Sequence, residues 1–529
     1  MEGKLNSEKL SLGIAVILLA FLGLIPVLSV VANSFVADGN FSLDNYGGLL
    51  QSSREWRLLA NSLLFALATT ASTCLLGVPL GILLARTDLP LRRALTALFM
   101  VPLVIPPYIL AIAWFYFLGG TGVLARLLGE GSGRLGSRLL FGFPGAVFVM
   151  TSAYLPIVIV LTMTFLRTIN PKLEESARLY ADWRMVLRKI SLPMVAPGIL
   201  LASVLVFVLT LGEFGVPMTL RFDVFSVESF IHISAFHDFN TGAAATIPLV
   251  LIVLAMICLE RKWMRGKMPS FELTQGQMLV VHLKKTKPFI MVGTFVLAFL
   301  LVLIPLAVLV SKSFSLETCR VAFLRSSGSI ARSLLYAFAG ASCLTMLGFF
   351  LGYLFQRKTS RFSMAVDSLA LFLFVLPGAV IGLGLMRFWN TRATGFVYGS
   401  AVIIIIGFIA KFSAVGGRIV TIAFSQVPDS MEEAARVAGG GWLRRIMKIW
   451  IPLMRKGLLG AWLVGFLFCL RDLDVTMMIY PTGGDTLPVH IFTIMANSPE
   501  EVIAAMCLIM VATALLPLGI LGRVFRRMR

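Results

Sequence analysis

The sequence predicts an all-α polytopic membrane protein of about 12 transmembrane helices, arranged as two parallel six-helix repeats. Three observations carry this. Of 529 residues, 58% are hydrophobic and only 14% are charged, whereas soluble globular chains have about 45–50% apolar and about 25% charged residues. The apolar residues fall in runs of about 20 or more, long enough for a hydrocarbon core about 30 Å thick. A β-barrel would instead alternate in polarity over segments of about ten residues. Finally, the second half of the chain repeats the first at a nearly constant offset.

In chain order, spans are expected near 11–33, 61–85, 95–119, 142–166, 197–220 and 243–260, then near 288–311, 333–356, 364–387, 397–423, 457–480 and 500–522. The first run follows Lys4 and Lys9 and exceeds the roughly 7–15 residues of a signal-peptide core, so it reads as a retained span. An even number of spans puts both termini on one side. On this map roughly 33 of the 46 Lys and Arg fall on the terminal side and about 12 on the other, the positive-inside bias that places both termini in the cytoplasm. The net charge of +20 therefore points to anionic lipid headgroups and the bilayer rather than to nucleic acid. The six cysteines form no CxxC pair and read as small buried hydrophobes.

The repeat is visible in two stretches. "NSLLFALATTASTCLLGVPLGILLAR" begins at Asn61, and "RSLLYAFAGASCLTMLGFFLGYLFQR" begins at Arg332, an offset of 271. It pairs Ser62 with Ser333, Gly77 with Gly348, Gly81 with Gly352, Arg86 with Arg357 and Pro106 with Pro377. Further on the offset falls to 258, and it is 259 for Pro193 and Pro452. The extra residues of the first half are assigned to an outer loop, "GGTGVLARLLGEGSGRLGSR". The expected organisation is a first repeat over 1–260, a cytoplasmic linker over 261–287 and a second repeat over 288–529. Parallel repeats about an axis along the membrane normal are a transporter architecture, with the path between them.

Two charged phrases, "EESARLYADW" from Glu174 and "EEAARVAGGG" from Glu432, lie in cytoplasmic loops over 171–198 and 428–457. Pro428, Asp429 and Ser430 supply a helix start, with Glu432 and Glu433 in the first turn where the dipole favours acids. Ala434 and Ala435 favour helix, and Gly439 to Gly441 stop it. A second, amphipathic helix carries Arg444, Arg445 and Lys448 and is expected to end at Pro452. One such element could simply lie on lipid. Two copies at equivalent positions favour docking to a partner with two equivalent sites.

The run Glu433-Ala434-Ala435, three residues, Gly439, nine residues, Ile449, then Ile451-Pro452 resembles the EAA loop of the membrane subunits of binding-protein-dependent ABC importers. In the first copy Ser176 replaces the first alanine, Ala181 replaces the glycine, and one residue is missing before Pro193. The resemblance implies two fused permease halves in a bacterial cytoplasmic (inner) membrane. It also implies two copies of a cytoplasmic ABC ATPase and an extracytoplasmic substrate-binding protein. Its ATPase-coupling residues would be Glu174, Glu175, Ala177 and Ala181 in one copy, and Glu432, Glu433, Ala434, Ala435 and Gly439 in the other. The sequence has no GxxxxGK[ST] loop, so ATP is expected on the partner and no cofactor on this chain. No HExxH or GxSxG motif points to an intramembrane enzyme. A secondary transporter is the competing transport class.

Charged residues within spans cost roughly 2.5–3.5 kcal/mol each on insertion scales and so ask for a role. Glu213 lies in "LGEFGVPMTL"; Arg471, Asp472 and Asp474 lie in "LRDLDVTMMI". Glu213 is 20 residues beyond Pro193 and Asp472 is 20 beyond Pro452. These four are the candidate translocation path, and facing carboxylates suit a cation. The structural alternative pairs Asp472 or Asp474 with Arg471 and makes Glu213 a helix cap. Lys411 and Arg418 read as snorkelling anchors. His232 and His237 are candidate outer metal ligands, or else loop histidines. Long fused permeases with an "EFG"-like segment most resemble the ferric-iron importers; thiamine, polyamine and phosphonate importers have related permeases.

Overall fold

The computed structural model describes residues 2–37, 40–234, 239–264, 280–356 and 361–527. His237, Arg357 and most of the expected linker lie outside these residues. Among the described residues, 11 helices are long and apolar enough to cross a membrane, or 12 if one bent pair counts as one span.

The helices recur in the same order in both halves. Ser53–Arg86 corresponds to Leu316–Gln356, Phe143–Leu166 to Val402–Phe424, and Leu192–Gly212 to Ile451–Arg471. The short helices Pro171–Arg178, Gly215–Thr219 and Phe225–Ser234 are matched by Asp429–Val437, Thr476–Ile479 and Leu487–Ile494. The paired serines explain themselves: the Phe225 N–H donates to Ser62 Oγ at 2.8 Å, and the Leu487 N–H donates to Ser333 Oγ at 2.6 Å. The paired glycines mark close helix crossings. A Cβ on Gly77 would meet Val158 at 2.7 Å, and one on Gly348 would meet the Gly416 backbone at 2.7 Å. Small residues let membrane helices approach this closely.

The spans expected at 95–119 and 364–387 are both broken. Arg92–Val104 stops before Pro106, and Pro107–Leu118 starts afresh. Arg361–Val375 and Gly378–Trp389 meet at 102° across Pro377. A residue before proline is driven out of the helical region, which is why both breaks fall there. The extra loop residues of the first half fold as Val123–Leu128 and Glu130–Leu140, where the second half has only Gly395–Tyr398.

Pro452 does not end its helix, contrary to the sequence expectation. Trp442–Arg445, the π-turn Ile446–Trp450 and Ile451–Arg471 form one continuous helix. The Ile451 N–H bonds the Ile446 carbonyl, five residues back, so one residue is accommodated just before the proline ring would clash. Three more π-turns, Ala20–Leu24, Leu187–Ser191 and Phe299–Leu303, precede Pro26, Pro193 and Pro305 in the same way.

The halves exchange their first helices. Ile25–Ser34 packs on Gly378–Trp389 of the second half. A Cβ on Gly384 would meet the Pro26 carbonyl at 2.6 Å. Conversely, Ile304–Lys312 packs on Pro107–Leu118, and Ser152 Oγ donates to the Leu301 carbonyl at 2.7 Å. Cys469 and Cys507 are buried as expected, but Cys258, Cys319 and Cys343 are exposed.

Candidate translocation path and coupling loops

A cavity of about 70 Å³ lies where the halves meet, lined among others by Tyr108, Tyr154, Glu213, Lys411, Arg471 and Asp474. Glu213 and Asp472 each follow directly on a long helix, two and four residues before the next short one starts. The Val216 N–H donates to Glu213 Oε1 at 3.3 Å, and the Thr476 N–H donates to Asp472 Oδ2 at 3.0 Å. Both carboxylates are therefore caps, and both are buried, Glu213 at 6% and Asp472 at 5% exposure. The equivalence read from the two prolines holds in space.

The charges around them are not equivalent. Lys411 Nζ lies 3.0 Å from Asp472 Oδ1 and 3.3 Å from Asp474 Oδ2. Lys411 is buried, not a snorkelling anchor. Its counterpart in the first half at the 258 offset is Ala153, and that of Asp474 at 259 is Gly215. Arg418 pairs instead with Asp367, at 3.2 Å. Arg471 donates across the interface to the Leu103 carbonyl and stacks over Phe468, 4.8 Å from the ring centre. The cluster thus sets three carboxylates against two fixed cations, leaving one carboxylate in excess when all are charged.

Asn170 caps the helix of the first charged phrase, Pro171–Arg178, and Asp182 caps Trp183–Val186. Glu174 is wholly buried. Its carboxylate lies 3.1 Å from Arg86 Nη2 and accepts from Ser191 Oγ at 2.8 Å. Arg86 also donates to the Leu166 carbonyl at 2.8 Å, tying together two long helices and the loop. In the second copy Glu432 Oε1 accepts from Tyr353 Oη at 3.0 Å, Arg436 Nη2 at 2.7 Å and Arg445 Nη1 at 3.0 Å. Arg445 reaches on to Glu8 at 2.9 Å, and Trp442 Nε1 donates to Ser11 Oγ at 3.0 Å.

Glu174 and Glu432 therefore face inward and position their helices, because one face of a short amphipathic helix must turn to the body of the protein. Glu175, Glu433, Ala434 and Gly439 are exposed, and Ala177, Ala181 and Ala435 are half-buried. Gly439 adopts φ +77° and ends the second helix; Ala181 does not take a left-handed conformation. The first copy passes from Ala181 straight to its cap Asp182, whereas Gly440 intervenes before the cap Gly441. That is the missing residue. Sequence reasoning overlooked three exposed apolar residues beside these turns: Leu179, Tyr180 (92% exposed) and Val437 (89% exposed). The signal was there, as apolar residues inside an otherwise charged phrase.

His232 lies on the helix Phe225–Ser234, not in a loop, with Nε2 3.6 Å from Glu228 Oε1.

Residues 77–261 match the family model of the binding-protein-dependent transport system inner membrane component. A putative ferric transport system permease protein of Haemophilus influenzae, FbpB 1, is 23% identical over 505 residues, covering 90% of this chain and 79% of that protein. The molybdenum transport system permease protein ModB of Mycobacterium tuberculosis is 30% identical over 215 residues, covering 40% of this chain and 80% of that protein. The inward-facing MetNI methionine ABC transporter aligns with a TM-score of 0.33 at 18% identity, over 41% of this chain and 100% of that one.

Proposed function

Because the chain belongs to the family of binding-protein-dependent transport system inner membrane components, and so is the permease of an ABC importer, we propose that its cargo is ferric iron. Two copies of a cytoplasmic ABC ATPase drive it, and an extracytoplasmic binding protein delivers the cargo. Both termini are cytoplasmic in this reading, and ATP is bound and hydrolysed by the partner alone.

The observation that carries the cargo is the buried acidic cluster. Glu213 and Asp472 come from equivalent places in the two halves and meet at one cavity, with a carboxylate in excess. Hard cations take oxygen ligands. The similarity to a ferric permease over 90% of this chain supports the same cargo. The likeness to a molybdenum permease raises an oxyanion as second reading, with Lys411 as its anchor. Lys411 is already engaged by two carboxylates, which disfavours it.

Coupling is mechanical. Closure of the ATPase dimer moves the two exposed helices together, and the ion pairs Glu174–Arg86 and Glu432–Arg445 pass that motion to the spans. The halves then rock between inward- and outward-open states. The test is uptake into proteoliposomes with the cognate ATPase and binding protein, comparing ferric iron, molybdate, thiamine, a polyamine and a phosphonate. Ferric iron alone is expected to accumulate with ATP; accumulation of another cargo in its place rejects the reading.

A further inference from the structure

We propose that Glu55, Glu228 and His232 form a receiving site for iron(III) at the outer end of the first half, upstream of the central cavity. The inference rests on the cargo and orientation proposed above. One donor atom from each residue lies within 4.8 Å of the others, the only such group of His, Cys, Asp and Glu among the described residues. An ion held at about 2.0–2.2 Å by each donor spans at most about 4.4 Å between two of them, so side-chain rotation suffices to close the site. Two carboxylates and one imidazole form a donor set for a hard to borderline cation.

The carboxylates are held together at a cost. Glu228 is buried, and Glu55 Oε2 is sealed from solvent without a hydrogen-bond partner. Such a group in a native structure asks for an ion or water. Arg54 lies 2.8 Å from Glu228 Oε2; its side chain is 63% exposed and can turn into water.

The second half contains the same corner, built differently. At the 271 offset of the paired serines, Ser326 stands for Glu55, and at the 262 offset of their partners Phe225 and Leu487, His490 stands for Glu228. There a single carboxylate, Asp485, is closed off by Arg332, by Ser329 at 2.8 Å and by His490 at 2.9 Å. Arg332 is hydrogen-bonded at that corner, and no metal-competent group of His, Cys, Asp and Glu is found there among the described residues. The cation site therefore belongs to one half only.

Its placement also fits the path. Ser226 Oγ, on the same short helix as Glu228, donates to the Glu213 carbonyl at 2.8 Å. Phe230 stacks on Phe214 at 5.0 Å. The outer site and the acid of the central cavity are thus joined by one rigid turn.

The test is equilibrium dialysis of the purified full-length permease in nanodiscs against radioactive iron(III) citrate. Glu55→Gln and His232→Gln are each expected to weaken retention at least about tenfold, and Asp485→Asn, at the corresponding corner, to leave it unchanged. His232→Gln preserves size and polarity, so it tests the site even if Glu55→Gln loosens the fold. No retention by the wild-type chain, or equal retention by both variants, overturns the inference. Uptake by wild-type proteoliposomes is read separately: retention without uptake keeps the site and rejects the cargo, and uptake without retention does the reverse.

Discussion

Arg86 ends the 34-residue helix Ser53–Arg86 with its guanidinium 3.1 Å from the wholly buried carboxylate of Glu174. The pair fastens a short charged helix to a membrane span.

Removing one partner of a buried ion pair leaves an uncompensated charge, at roughly 3–5 kcal/mol. Arg86→Ala is therefore expected to lower the thermal unfolding temperature sharply. Glu174→Gln keeps the Ser191 hydrogen bond and should do less damage. Equal melting of Arg86→Ala and wild type would remove the pair from any structural role.

The adjacent glutamates divide the work. Glu433 is exposed, so Glu433→Lys should shift stability by no more than about 0.5 kcal/mol while lowering substrate-stimulated hydrolysis by the ATPase. Glu432→Lys places a cation beside Arg436 and Arg445 and should instead impair folding. Normal stimulated hydrolysis in Glu433→Lys would count against a docking role for that face.

The Lys411–Asp472 pair predicts non-additive behaviour. Lys411→Met and Asp472→Asn should each destabilise the chain and abolish uptake. The double variant should recover stability but not uptake, since neighbouring partners couple by about 0.5–3 kcal/mol. Strictly additive losses would mean the two groups do not interact.

Asp485 makes its corner of the second half acid-sensitive. Burial pushes its carboxyl up, but hydrogen bonds from His490 and Ser329 and the charge of Arg332 win and hold it at about 2, below the ordinary 3.8. A depressed carboxyl adds stability that is present above the unfolded value. That stability is lost as pH falls from about 4 through about 2. Asp485→Asn should flatten the melting temperature over that window; an unchanged acid slope would discount the corner.

The paired serines and glycines and the two charged loop helices were legible because each depends on residues close in the chain. Pro106 and Pro377 could be read as equivalent, but not as breaks, since hydropathy averages over a window and passes across a single proline. Lys411 was misread for a related reason: its partners are 61 and 63 residues away. Nothing local says which way its helix face is turned.

The class of protein, the number of membrane-crossing segments, their doubling and the matched pair of short charged loop helices were determined by sequence alone. Apolar length and residue spacing are local properties that a bilayer reads directly. The tertiary structure alone decided the exchange of first helices between halves, the inward turn of Glu174 and Glu432, the capture of Lys411 by two aspartates and the meeting of Glu55 with Glu228 and His232. Each of these depends on the rotation of one helix against another, set by packing among residues far apart in the chain.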